Sequence, residues 1–140
     1  MEAGNSVKTS AALLYGTQSV PCLVDGLIAE GDAWEGEGFT VEALYTPGHT
    51  MGSVSFEVTA GDYRLLIAGD AVWGGFSEKI GSSEEAWRET LDKITSRHYD
   101  FYTFGHVNPQ LIADADERLK EAKMAFGNYY NPWFKTFFET

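Results

Sequence analysis

Val54, Phe56 and Val58 alternate with Ser53, Ser55 and Glu57. A period of two predicts a strand with its apolar side buried and its polar side in solvent. FTVEALY, 39–45, is rich in strand-forming residues and predicts a second strand. Ala60-Gly61-Asp62 reads as a hairpin turn into YRLLIAGD. There the run Leu65 to Ala68 is apolar throughout, as in a strand covered on both faces. YDFYTFGH, 99–106, predicts another buried strand. GDAWEGEG, 31–38, reads as turns, and residues 1–19 are small and polar with no clear period.

Two segments switch to a helical period. Ser82 with Glu85 matches a capping box, and Trp87, Leu91 and Ile94 then share one helix face. Asn108-Pro109 reads as the cap and first turn of a second helix. Its stripe would be Ile112, Ala115, Leu119, Ala122 and Phe126, with Asp116 four residues before Lys120. Strands, helix, strand and helix in that order predict an α/β or α+β layered domain, a mixed sheet covered by helices. Further on, Phe126, Tyr129, Tyr130, Trp133, Phe134, Phe137 and Phe138 form an aromatic segment over 126–140. About half of these rings are expected on the chain's own core and the rest on a second subunit.

Composition narrows the classes. Of 140 residues, 44% are hydrophobic, enough for a packed core and too many for a disordered chain. Lys and Arg total 10 against 21 Asp and Glu, a formal net charge of −11 that would repel nucleic-acid phosphates. No apolar run is long enough to span a membrane, and Lys135 is the sole basic residue of the aromatic segment, so no membrane partner is expected. The amino terminus lacks the pattern of a secretory signal. One cysteine, Cys22, cannot pair within the chain; a buried structural thiol in a reducing, cytoplasmic setting fits.

Three predicted strands end in the same chemistry. They run into Gly48-His49, Gly69-Asp70 and Gly105-His106. Glycine permits a sharp turn at a strand end, and sheets of this class gather ligand sites at the carboxyl ends of their strands. Two imidazoles and a carboxylate on one rim would suit zinc, or another divalent metal such as iron or manganese. His98, in SRHYD after the first helix, is expected only to offset that helix's negative end.

TPGHTMGSVSF, LLIAGDAV and FGHV resemble the third, fourth and fifth sequence motifs of the metallo-β-lactamase superfamily, over roughly residues 27–126. The resemblance implies half of a four-layer αββα sandwich. It implies that His49 binds a first metal, His106 a second, and Asp70 bridges both as the catalytic carboxylate. It also implies a hydrolase of thioesters, lactams, lactones, phosphodiesters or sulfur compounds, or else a di-iron centre handling oxygen or nitric oxide. Trp73, Phe76 and His98 are candidates to line the approach. The family's upstream His-x-His-x-Asp-His motif has no counterpart, since the chain's three histidines are His49, His98 and His106. Residues 1–140 are therefore expected to form a single truncated domain resembling the carboxyl-terminal half of the fold. Each of two ions would have one imidazole and a share of one carboxylate, fewer than the three protein ligands zinc sites normally have. The expectation is a hydrolase-like protein that binds metal weakly or not at all and is inactive or weakly active alone. The alternative is a non-catalytic homodimeric binding or assembly module, and a complementing half-domain is the other expected partner.

Overall fold

A computed structural model of the chain describes the backbone of residues 12–15 and 18–21, and residues 26–105 and 110–126 with their side chains. Strands β1 (Ala12–Tyr15) and β2 (Gln18–Pro21) pair as an antiparallel hairpin. A six-stranded sheet follows, with spatial order equal to chain order: β3 (Ala33–Gly36), β4 (Phe39–Tyr45), β5 (Val54–Ala60), β6 (Tyr63–Ile67), β7 (Phe101–Thr103) and β8 (Ile112–Ala113). All its neighbours are antiparallel except β6 and β7. That parallel pair needs a crossover, supplied by short 3-10 turns and helix α1 (Glu84–Thr95). Helix α2 (Ala115–Ala125) closes the described chain. Among the described residues no helix is long and apolar enough to cross a membrane.

Both helices bury their stripes on one face of the sheet. Trp87, Leu91 and Ile94 of α1 and Ala115, Leu119 and Ala122 of α2 join Leu44, Leu66 and Tyr102 in one core, together with Phe126. This mixed sheet with helices on one side is an α+β arrangement, one sheet layer and one helix layer of the expected sandwich.

The structure corrects several expectations. The strand 53–58 does alternate, but its orientation is inverted: Ser55 and Glu57 are the buried residues, while Val54, Phe56 and Val58 are half-buried on the opposite face. Ser55 is tolerated inside because its hydroxyl donates to the Ala68 carbonyl at 3.0 Å and meets Thr46 Oγ1 at 2.7 Å. Glu57 is tolerated because Arg64 and Arg97 each reach it at 2.6 Å. The opposite face is apolar. Val41, Val58, Leu65 and Phe101 lie side by side across four strands, with Ala43, Phe56 and Ile67 in the next row. Trp34 packs on Phe56 and Tyr63 on Phe101. Ile67 remains 40% exposed and Tyr63 63% exposed, so β6 is covered on one face rather than two. The same holds for β7, where Tyr102 alone is buried.

Residues 33–36 are an edge strand and not a turn; all its side chains are exposed, and its backbone pairs with β4 on one side. Ser83, rather than Ser82, caps α1 by accepting the Ala86 amide. Helix α2 starts at Ala115, so Ile112 belongs to β8 and not to the helical stripe. Asp116 turns back to the Tyr99 amide and the His98 ring. Cys22, Asn108, Pro109 and the aromatic segment beyond Phe126 lie outside the described residues.

Candidate metal centre

The β4–β5 connection carries TPGH. Its conformation is fixed from α1: the Ser83 amide donates to the Gly48 carbonyl at 2.9 Å, Thr90 Oγ1 to the Pro47 carbonyl at 2.6 Å and Ser82 Oγ to the His49 carbonyl at 2.6 Å. The capping segment of α1 therefore doubles as a clamp on the histidine loop. Asp70 sits in the 3-10 turn Gly69–Ala71 directly after β6. Thr46 and Ala68, which precede the two turns, are joined through the buried Ser55 hydroxyl.

These supports bring His49 Nε2 to 3.3 Å from Asp70 Oδ2. His49 Nδ1 lies 2.7 Å from the Gly75 carbonyl oxygen. A carbonyl only accepts, so Nδ1 carries the proton in the neutral ring and Nε2 keeps its lone pair directed to the Asp70 side. That is the tautomer an imidazole needs to bind a metal through Nε2, held by the kind of backbone contact that orients such ligands. The ring is partly shielded, with 15% of the His49 side chain exposed against 35% for Asp70. Buried Trp87 touches both loops: its ring meets the His49 ring edge-on at 5.7 Å, and its Nε1–H donates to the Ala71 carbonyl at 2.8 Å.

The third strand end approaches the same carboxylate. The β6–β7 ladder extends beyond the strands, with the Gly105 amide donating to the Gly69 carbonyl at 3.0 Å. A Cβ on Gly105 would stand 2.7 Å from Asp70 Oδ1, so a side chain there would push the carboxylate aside. His106 follows Gly105 in the chain but itself lies outside the described residues. Among the described residues no group of three or more His, Cys, Asp or Glu is placed to hold a metal ion. The described donor set is thus an imidazole and a carboxylate, suited in chemistry to a borderline divalent cation but short in number.

His98 does not line this site. It precedes β7, whereas Gly105 follows it, so the two lie at opposite ends of that strand. Instead of serving the end of α1, it meets Asp116 at 2.5 Å and Asp100 at 3.4 Å. The Asp116 hydrogen bond and charge raise the ring's pKa above its ordinary 6.5, and Asp100 adds to this. Burial alone would raise the Asp116 carboxyl; the Tyr99 amide and the His98 ring outweigh it and hold it below its usual range. Trp73 and Phe76 pack partly buried against the core on the segment after Asp70.

The family model of the metallo-β-lactamase superfamily matches residues 23–106. The chain belongs to that superfamily. A lactamase-like protein of Pestalotiopsis microspora is 30% identical over 97 residues, covering 67% of this chain and 28% of that protein. Among solved structures, a metallo-β-lactamase family protein from Thermus thermophilus is 27% identical with a TM-score of 0.55, covering 78% of this chain and 40% of that one. A Cronobacter sakazakii metallo-β-lactamase with a HARLDQ motif is 26% identical with a TM-score of 0.51, covering 60% of this chain and 36% of that one. The chain thus spans well under half the length of these superfamily members.

Beyond the histidine and aspartate, the parts that hold them are invisible as motifs. Gly75 acts through its carbonyl and Ser82 through a contact 33 residues away. Ser82 carries a signal as a helix-start residue, but one that gives no hint of the loop it clamps.

Proposed function

We propose that this superfamily member contributes His49, Asp70 and His106 to a divalent-metal centre that its own residues leave incomplete, so that alone it is inactive or weakly active as a hydrolase. The observation that carries this reading is the His49–Asp70 pair, 3.3 Å apart, with the imidazole tautomer set for Nε2 coordination. His49 would supply a neutral nitrogen donor and Asp70 the anionic oxygens, with His106 as a third donor. Zinc is the expected ion, with iron or manganese compatible with the same donors. The chemistry such an ion supplies is a water acidic enough to yield a nucleophile near neutral pH. The chain's residues contribute orientation: the Gly75 carbonyl holds the imidazole, the Gly69–Ala71 turn presents the carboxylate, and Trp87 keeps the two loops in contact. The deficit lies in the ligand count, because no His-x-His-x-Asp-His segment occurs in this sequence. A half-domain carrying that segment is the partner that would complete the centre. The test is hydrolysis of β-lactam, lactone and thioester probes with added zinc, by the chain alone and after mixing with such a half-domain. Turnover only in the mixture, lost with Asp70→Asn, supports the reading. Equal turnover by the chain alone contradicts it.

A second reading is favoured by the apolar sheet face. Trp34, Phe39, Tyr63 and Ile67 are each at least 40% exposed there, in a chain of otherwise strongly acidic character. On this reading the chain is a non-catalytic homodimeric assembly module that buries the face against a second copy.

A further inference from the structure

Trp73 holds its backbone at φ 65, in the left-handed region that bulky side chains avoid. Such a conformation persists only where the surroundings enforce it. One contact ties the side chain down. The Trp73 indole Nε1–H donates to Tyr102 Oη at 3.2 Å, tying the segment after Asp70 to the strand that leads to Gly105. The turn made at Trp73 then drives the next two residues into the metal centre. A Cβ on Gly74 would stand 2.2 Å from the Asp70 carbonyl oxygen and 3.0 Å from His49 Nδ1, so only bare backbone fits between the Asp70 main chain and the Nδ1 edge of the His49 ring. Gly75 presents the carbonyl that His49 Nδ1 binds at 2.7 Å.

We infer that Trp73 is a positioning residue: its indole strut to Tyr102 holds the 73–75 turn in place so that the Gly75 carbonyl fixes the His49 ring. The strut couples the His49 and Asp70 loops to β7, and so to all three strand ends. Its role toward a metal rests on the centre proposed above; its role toward the His49 ring does not. Tyr102 is the natural partner, since it is buried and its hydroxyl is the only group that Tyr102→Phe removes.

The experiment measures the His49 ring nitrogens by long-range proton–nitrogen NMR in metal-free protein, which tells the two neutral tautomers apart. Wild type should show the Nδ1–H form. Trp73→Phe and Tyr102→Phe each remove the strut and should shift His49 to a mixed tautomer, and the double variant should shift it no further. Trp73→Gly relieves the left-handed backbone but deletes the indole; it should also lose the pure tautomer. Ile94→Val trims the core elsewhere and should lower thermal stability without moving the His49 signals. Zinc titration adds a second readout: where the wild-type chain binds zinc, the strut variants should bind about tenfold more weakly, the usual scale for loss of ligand support. Variants that lose stability while His49 keeps the wild-type signals would overturn the inference. Absence of zinc binding by the wild-type chain would count against the metal centre and leave the NMR result to decide the strut.

Discussion

Asp70 Oδ2 stands 3.3 Å from His49 Nε2, although the two residues come from loops 21 positions apart. Nothing in either loop alone produces that distance. It follows from the Ser55 hydroxyl, the Trp87 indole and the Gly74 backbone, which all touch both sides. If zinc binds through this pair, His49→Ala and Asp70→Asn should each weaken its binding by about tenfold or more. Both should leave the fold intact by circular dichroism, because neither side chain belongs to the buried core. Zinc calorimetry with the two variants checks this.

Ser55 offers a sharper stability test. Its hydroxyl satisfies the Ala68 carbonyl and Thr46 Oγ1 in a fully buried position. Ser55→Ala should cost about 1–3 kcal/mol in urea denaturation, the price of leaving buried polar groups unpaired. The loss should carry over to the site, with weaker retention of any metal, since Thr46 and Ala68 lead into the two donor loops.

The fold and the site were legible in the sequence to different degrees, for physical reasons. Strand β4, the periodicity of β5 and the buried face of α1 follow from local patterns, which the backbone obeys wherever it is placed. Which face of β5 turns inward does not. That depends on Arg64 and Arg97 reaching Glu57 and on Thr46 and Ala68 reaching Ser55, contacts made only after folding. The same limit explains β3: Ala33–Gly36 is a strand through its hydrogen bonds to β4, with no buried side chain to announce it. His49 and Asp70 were readable because each follows a glycine at a strand end. The Gly75 carbonyl and the Trp73 turn were not, because one acts through the main chain and the other through a phenol 29 residues away.

Stability should depend on pH through His98. Its folded-state pKa is raised by Asp116 and Asp100, so its contribution is fully present below the ordinary 6.5 and is lost as pH rises through the elevated value. Asp116 acts in the opposite sense: its contribution is present above the ordinary carboxyl range and is lost as pH falls through its depressed value. His98→Asn should flatten the fall of melting temperature on the alkaline side and leave His49-dependent metal binding unchanged. Melting curves across pH for the two proteins check both statements.

The apolar sheet face predicts self-association if the assembly reading holds. Sedimentation should then detect dimer as the protein concentration is raised, since an exposed apolar patch of this kind marks an interaction site. Ile67→Lys should return the chain to monomer, because it places a charge on the exposed part of that face beside Phe56. A monomer throughout, indifferent to Ile67→Lys, removes the assembly reading.

The most direct test of the incomplete centre is metal stoichiometry. The purified chain should be dialysed against metal-free buffer, analysed by elemental mass spectrometry and then titrated with zinc in a calorimeter. Little retained metal is expected, with weak zinc binding that disappears in His49→Ala. Near-stoichiometric, tightly held metal in the chain alone, with hydrolysis abolished by His49→Ala, would contradict it.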